Sequence, residues 1–165
     1  MKKIAIVGAG PTGIYTLFSL LQQQTPLSIS IFEQADEAGV GMPYSDEENS
    51  KMMLANIASI EIPPINCTYL EWLQKQEASH LQRYGVKKET LHDRQFLPRI
   101  LLGEYFRDQM HKVIEKNHPK AVNEIRGLGM INGIQLNHAR LPICKLQMLA
   151  SCSLQIRIYP ARRLI

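Results

Sequence analysis

An α/β fold built on a parallel sheet is predicted by three observations, all within the first 33 residues. A short unbroken apolar run, Ile4-Ala5-Ile6-Val7, is followed at once by Gly8-Ala9-Gly10-Pro11-Thr12-Gly13. A segment with helical spacing comes next, and then an alternating stretch, Ser28 to Phe32, that ends in Glu33. Strand, glycine turn, helix, strand and acid in that order make a Rossmann-type βαβ unit, the opening of a three-layer domain.

Each element has its own reason. Lys2-Lys3 followed by Ile4 to Val7 is the pattern of a strand buried on both faces of a parallel sheet. Gly8 lets the backbone turn sharply out of that strand. Gly10 removes the side chain that would hold a pyrophosphate away from the main chain, and Gly13 lets the next helix lie close against the strand. That helix then points its free N–H groups and the positive end of its dipole at the phosphates. Ile14, Leu17, Phe18, Leu20 and Leu21 give the helix its apolar face up to Gln24, and Thr25-Pro26 stops it. Glu33 lies 20 residues after Gly13, at the C-terminal tip of the second strand. A carboxylate there accepts hydrogen bonds from both ribose hydroxyls of an adenine nucleotide. Gln34 and Ala35 follow it, where an Arg or Lys would indicate a 2′-phosphate. The pattern predicts adenine dinucleotide binding and leaves the choice between FAD and NAD open.

Beyond Glu33, Gly39-Val40-Gly41-Met42-Pro43-Tyr44-Ser45 reads as a loop that approaches something closely. Asp46-Glu47-Glu48 reads as a solvated acidic turn without a metal, since no His or further carboxylate flanks it. Met52 to Ile57, with polar Asn56 inside, is a strand or part of a pocket wall. Ile62-Pro63-Pro64-Ile65 is extended, because residues before proline avoid the helical region. Thr68-x-x-Glu71 is a capping box that opens a helix through Trp72, a core anchor. Residues 79–95 are polar and predict a surface excursion, and His80 and His92 are poorly spaced for a metal. Pro98 starts a helix running to about Asn117. Its stripe is Ile100, Leu101, Phe106, Met110, Val113 and Ile114, and Gly103 inside it predicts a tight packing partner.

The whole chain, 165 residues with 45% apolar and 21% charged residues, reads as globular. No apolar run approaches the roughly 20 residues of a membrane span, and no signal-peptide core is present. Cys67, Cys144 and Cys152 form no C-x-x-C pair and leave an odd thiol under any pairing. Reduced thiols and a cytoplasmic location are expected. Residues 1–109 carry a net charge of −3, and residues 110–165 one of +7. The basic residues of the tail are scattered singly, with Tyr159 as the lone aromatic, which weighs against nucleic acid. The charge shift predicts a change of character near residue 110, and with the helix ending at His118-Pro119 the chain divides into a dinucleotide-binding domain over residues 1–118 and a basic tail over 119–165.

Four motifs in order, Gly8 to Gly13 through Glu33-Gln34, Gly39 to Ser45, Leu54-Ala55-Asn56, and Leu97-Pro98-Arg99 to Phe106, resemble the FAD/NAD(P)-binding oxidoreductases of the YdhS-like type. Flavin-dependent monooxygenases acting on urate or on the amino group of aspartate belong to the wider group. The resemblance covers residues 1 to about 109 and implies FAD, with Gly8, Gly10, Pro11, Thr12 and Gly13 at the pyrophosphate and Glu33, with Gln34 beside it, at the ribose. Asn56 and Arg99 would then lie toward the flavin. Such enzymes also carry a later strand that closes the FAD site and a second glycine-rich unit for NAD(P)H, and neither pattern occurs here. The resemblance therefore implies a module that holds FAD without the parts needed for turnover, with a small-molecule substrate left undefined.

The tail allows two explanations. Glu124 to Leu136 looks similar to a segment of class III (ornithine-type) aminotransferases, without a pyridoxal lysine, which would make the chain a fusion. Read from its residues, the same stretch predicts a β-hairpin pairing Val122–Arg126 with Met130–Leu136. A truncated or frame-shifted reading frame is a further expectation for so patternless a tail, although Leu154-x-Ile156-x-Ile158 alternates like a strand. No G-x-S-x-G elbow, P-loop lysine or cysteine–histidine pair is present, so no catalytic side chain is assigned. Two alternatives stand beside the flavin reading: an NAD-binding dehydrogenase fragment, and a non-catalytic nucleotide-binding or interaction remnant.

Overall fold

The computed structural model describes residues 2–24, 27–33, 35 and 37–117, together with the backbone of four short strands at 133–136, 139–142, 144–145 and 155–160. Strand β1 (Lys2–Val7), helix α1 (Pro11–Leu21) and strand β2 (Leu27–Glu33) follow in the predicted order. β1 and β2 are parallel, with Ile4 beside Ile29 and Ile6 beside Ile31, so these four side chains share one face. α1 packs on that face, Gly13 lying against the Ile6 side chain, and Ile14 and Leu17 are fully buried beneath it.

β1 departs from expectation. Of its six residues only Ile6 is buried, Ile4 is half-buried, and Ala5 and Val7 are exposed, Val7 at 86%. The cause is position. Among the described residues β1 is the outermost strand of the sheet and pairs with β2 alone, and α1 covers just one of its faces. β2 is the strand that matches the buried pattern, with Leu27, Ser28, Ile29 and Ile31 all buried.

The tail supplies β3 (Gly133–Leu136), β4 (Ala139–Pro142), β5 (Cys144–Lys145) and β6 (Gln155–Pro160). β6 lies on the far side of β2 and parallel to it, where the alternation of Leu154 to Ile158 predicts a strand, and β5 pairs antiparallel with β6. β3 pairs antiparallel with β4. The expected partner of that stretch, Val122–Arg126, lies outside the described residues.

Between β2 and the tail the chain builds a second layer of core. The capping box closes as predicted: Glu71 N–H donates to Thr68 Oγ1 at 3.1 Å, and Thr68 N–H to Glu71 Oε2 at 2.8 Å. It opens α2 (Tyr69–Lys75), and α3 (Ala78–Gln82) follows. The 79–95 stretch is more than a surface excursion, because Leu81 and Val86 are buried within it. Its His80 Nε2 and Tyr84 hydroxyl meet the two oxygens of Glu104, at 2.7 and 2.6 Å. α4 (Arg99–Asn117) buries the whole predicted stripe together with Leu102, Tyr105 and Gln109. Trp72 is a core anchor, stacked with Tyr69 and donating its indole N–H to Asp108 at 2.8 Å.

The tyrosines of this layer make a pH prediction. Burial, with the bond to Glu104 as a second cause, pushes the Tyr84 phenol up to about 12, and burial alone does the same for Tyr15. Burial also pushes Tyr69 and Tyr105 upward. In the unfolded chain these phenols ionise near 10.0. The folded state is therefore fully favoured below that pH and loses ground as pH rises through about 12. Thermal melts should fall steadily across this window, and Tyr69→Phe should flatten part of the fall. A melting temperature independent of pH there would contradict the burial assigned to these rings.

Candidate functional site

The glycine turn takes the shape its residues demand. Gly8 has φ +91°, a conformation that L side chains rarely adopt, and its N–H donates to Phe32 O at 2.7 Å, continuing the β1–β2 ladder into the turn. A Cβ on Gly13 would sit 2.1 Å from the Gly8 carbonyl oxygen, so the contact between helix and turn exists only with glycine. Pro11 occupies the first helical position and Ile14 N–H closes onto Gly10 O at 3.0 Å. The amides of Thr12 and Gly13 then have no carbonyl within the helix to meet. Free amides and the positive end of a helix dipole are favourable surroundings for an anion.

Glu33 does something the sequence does not announce. Its Oε2 accepts the Ala9 N–H at 2.6 Å and its Oε1 the Ala35 N–H at 2.9 Å. The carboxylate thereby brackets the glycine turn to the end of β2. A carboxylate oxygen can accept more than one hydrogen bond.

The loop at 39–44 forms the opposite wall. Gly39 N–H donates to Ala9 O at 2.9 Å. Gly39 and Gly41 both have positive φ, +109° and +72°. A Cβ on Gly39 would meet the Arg107 backbone at 2.6 Å, and one on Gly41 would meet Pro11 Cδ at 3.0 Å and Gly10 Cα at 3.2 Å. The predicted tight partner of Gly103 is this same loop: a Cβ there would stand 2.5 Å from Tyr44 O and 3.1 Å from Val40 Cγ1. Gly103→Ala is thus expected to destabilise by about 1–3 kcal/mol through overpacking, although alanine favours a helix by about 1 kcal/mol. Thermal melts decide it, because a rise in melting temperature would mean that the loop does not bear on α4.

Between turn and loop lies an open cleft of about 530 Å³, bordered by Gly8, Gly10, Pro11, Thr12, Gly13 and Glu33 on one side and by Gly41 to Tyr44 on the other. A groove of about 570 Å³ on the outer side of α1, past Tyr15, Ser19 and Gln23, has no ionisable group except the Tyr15 phenol, itself donated to Pro63 O at 2.6 Å. The cleft is the stronger candidate, since the dipole, the free amides and the carboxylate all converge there.

Two predicted residues, Arg99 and Asn56, fall outside this cleft, on two segments that meet at Leu54 and Pro98. Leu54 bridges antiparallel to Pro98, Arg99 N–H donates to Met53 O at 2.8 Å, and Ala55 N–H donates to Leu97 O at 2.8 Å. Arg99 Nε also donates to Leu54 O at 3.1 Å. Asn56, next along the same segment, is exposed. Gln34 lies outside the described residues. Among the described residues no group of three or more His, Cys, Asp or Glu side chains could hold a metal ion, and no helix is long and apolar enough to cross a membrane.

Comparison with known proteins joins the sequence and the cleft. Residues 5–135 match the FAD-NAD(P)-binding family. The chain belongs to this family. Over 116 residues, 70% of the chain, it is 92% identical to a protein named "Uncharacterized protein YdhS" from Escherichia coli (strain K12), and the match takes in 22% of that protein. Over 44 residues, 27% of the chain, it is 43% identical to "Ornithine aminotransferase 2" of Staphylococcus saprophyticus subsp. saprophyticus, covering 10% of it. The chain thus spans about a fifth of the first relative and a tenth of the second. No solved structure matches. The glycine turn, Glu33 and the 39–44 loop all fall inside the part that matches the FAD-NAD(P)-binding family, so the cleft lies within a nucleotide-binding module of the oxidoreductase type.

Proposed function

We propose that this chain is the FAD-holding module of a flavin-dependent, monooxygenase-like oxidoreductase that works in the cytoplasm with NAD(P)H as electron donor. The observation that carries the reading is the convergence in one cleft of the α1 N-terminus, the bare backbone of Gly10 and the Glu33 carboxylate. The pyrophosphate would lie against Gly10, Pro11, Thr12 and Gly13, and a Cβ on Gly10 would press on Gly41 Cα at 3.2 Å. The ribose would meet Glu33 and Gln34. The interlock of Gly41 with Gly10 supports FAD over NAD, because the Gly39–Ser45 motif is the one that resembles flavin enzymes. Arg99 and Asn56, on the two segments that meet at Leu54 and Pro98, are the proposed residues toward the ring end.

When bound, the flavin supplies the electron-transfer chemistry. The residues of this chain bind it, orient it and exclude water from the pyrophosphate. The proposed module occupies residues 1–118, and the substrate falls to the rest of the longer protein. Thermal melts with FAD, NAD and NADP in turn test the ligand. A ligand present at about 100 times its Kd stabilises the fold by about 2.7 kcal/mol. A shift with FAD and none with the nicotinamide nucleotides is expected, whereas a shift with NAD alone would assign the cleft to a dehydrogenase.

A further inference from the structure

We propose that Met42 is a modification site: peroxide oxidises its thioether to the sulfoxide, and the sulfoxide loosens the hold of the cleft on its dinucleotide. The backbone explains why this side chain stands in solvent. Gly41, at φ +72°, interlocks with the glycine turn, where a Cβ would meet Pro11 Cδ at 3.0 Å and Gly10 Cα at 3.2 Å. Met42–Tyr44 then makes a single 3₁₀ turn, closed by Tyr44 N–H on Gly41 O at 3.1 Å, and Pro43 inside it has a fixed φ. Tyr44 packs inward, its ring 5.8 Å from that of Phe106 and its carbonyl oxygen against Gly103 of α4. With the turn held at both ends, Met42 is left 74% exposed at the rim of the cleft. A large apolar side chain kept at a ligand cleft by a pinned backbone is placed to pack on what the cleft holds.

The chemistry follows from the sulfur. Its lone pair attacks one oxygen of hydrogen peroxide, the O–O bond breaks, and the other oxygen leaves as water with both protons. Sulfur loses two electrons and gains one oxygen atom, and the peroxide is reduced. A flexible apolar side chain becomes a polar, chiral one, and sulfoxide reductases reverse the change. The new oxygen carries partial negative charge, which opposes the phosphates of a dinucleotide in the same cleft. The chain contains its own controls. Met52 is 80% exposed and Met53 44%, yet neither borders the cleft, and Met110 is fully buried in α4. Peroxide should therefore reach Met42, Met52 and Met53 and spare Met110, and of these four Met42 alone bears on the cleft. The effect on the dinucleotide rests on the function proposed above. That function also supplies an oxidant, because dioxygen that takes two electrons from a reduced flavin leaves as hydrogen peroxide.

The full chain is treated with hydrogen peroxide, peptide mapping by mass spectrometry reads each methionine, and calorimetric titration reads FAD affinity before and after. Conversion of Met42 to the sulfoxide is expected to weaken FAD binding about tenfold, as loss of one methionine-sized apolar contact does. Treatment with the two sulfoxide reductases, one for each epimer, should restore it. Met42→Leu keeps the apolar volume without the sulfur. Its affinity should be the same before and after peroxide, although its cysteines and other methionines remain. Met42→Gln should bind FAD as weakly as the oxidised parent. An affinity unchanged with Met42 fully oxidised overturns the proposal, as does a Met42 that resists peroxide while Met52 is converted. So does a Met42→Leu chain that loses affinity as the parent does. These results leave the function proposed above standing, whereas an unoxidised parent that binds no FAD overturns that function and this inference together.

Discussion

Gly13→Ala is expected to lower stability by about 3 kcal/mol or more and to abolish nucleotide binding. The methyl group would stand 2.1 Å from the Gly8 carbonyl oxygen and 3.1 Å from its carbon, both backbone atoms, so no side-chain rotation can relieve it. Either α1 tilts away from Ile6 or the turn at Gly8 opens, and both movements carry the Thr12 and Gly13 amides off the cleft. A fall of roughly 10 °C in melting temperature is the expected readout for a domain of this size. Gly10→Ala makes the informative contrast. Its methyl group would meet Gly41 Cα at 3.2 Å, a contact that a small displacement of the loop can absorb. Stability should then change little while affinity for the dinucleotide falls, separating the packing role of Gly13 from the ligand-facing role of Gly10. Equal melting temperatures for Gly13→Ala and the parent chain would contradict the packing described.

The second large effect belongs to Glu33. In Glu33→Ala the Ala9 N–H loses its acceptor, and Ala9 is fully buried, so the turn is left with an unsatisfied donor costing about 1–3 kcal/mol. Glu33→Gln keeps one acceptor oxygen and turns an NH₂ group toward a backbone donor, so it should recover only part of the loss. If the carboxylate also meets the ribose, both variants should lower FAD affinity by at least about tenfold beyond what the melt of the free protein explains, since charge-assisted bonds are the stronger kind. Calorimetric titration of each variant, beside its melt without ligand, reads the two contributions separately. An affinity unchanged in Glu33→Ala would remove the ribose role and leave the bracket.

How far the sequence reveals these features depends on how local their causes are. The glycine turn is legible because its demands are set within six residues: a positive φ at Gly8, a bare Cα at Gly10, a close helix at Gly13. The capping box at Thr68 is legible for the same reason, since both its hydrogen bonds span three residues. Gly103 betrays a tight contact by costing helix propensity, but nothing local says that the contact is Tyr44. That pairing, like Gly41 against Gly10, depends on how distant segments cross. Glu33 shows the same limit, because its bond to Ala9 follows from the register that sets Val7 beside Phe32.

β1 is misread for an instructive reason. Its apolar run would suit a central strand, and burial is decided by what lies on its other side, which no feature of the strand itself encodes. Residues 79–95 mislead in the opposite sense. Their polar composition hides two buried anchors, Leu81 and Val86, and a histidine and a tyrosine that meet Glu104 from across the fold. A carboxylate inside the apolar helix 99–117 is the one sequence signal that could have pointed to those partners.

The most direct test of the cleft as a flavin site is the visible absorption of the purified chain after incubation with FAD and passage through gel filtration. The account predicts flavin bands that travel with the protein, and their loss in Gly10→Val and in Glu33→Ala variants that still melt cooperatively. A folded, colourless protein from which all FAD separates on the column would contradict it.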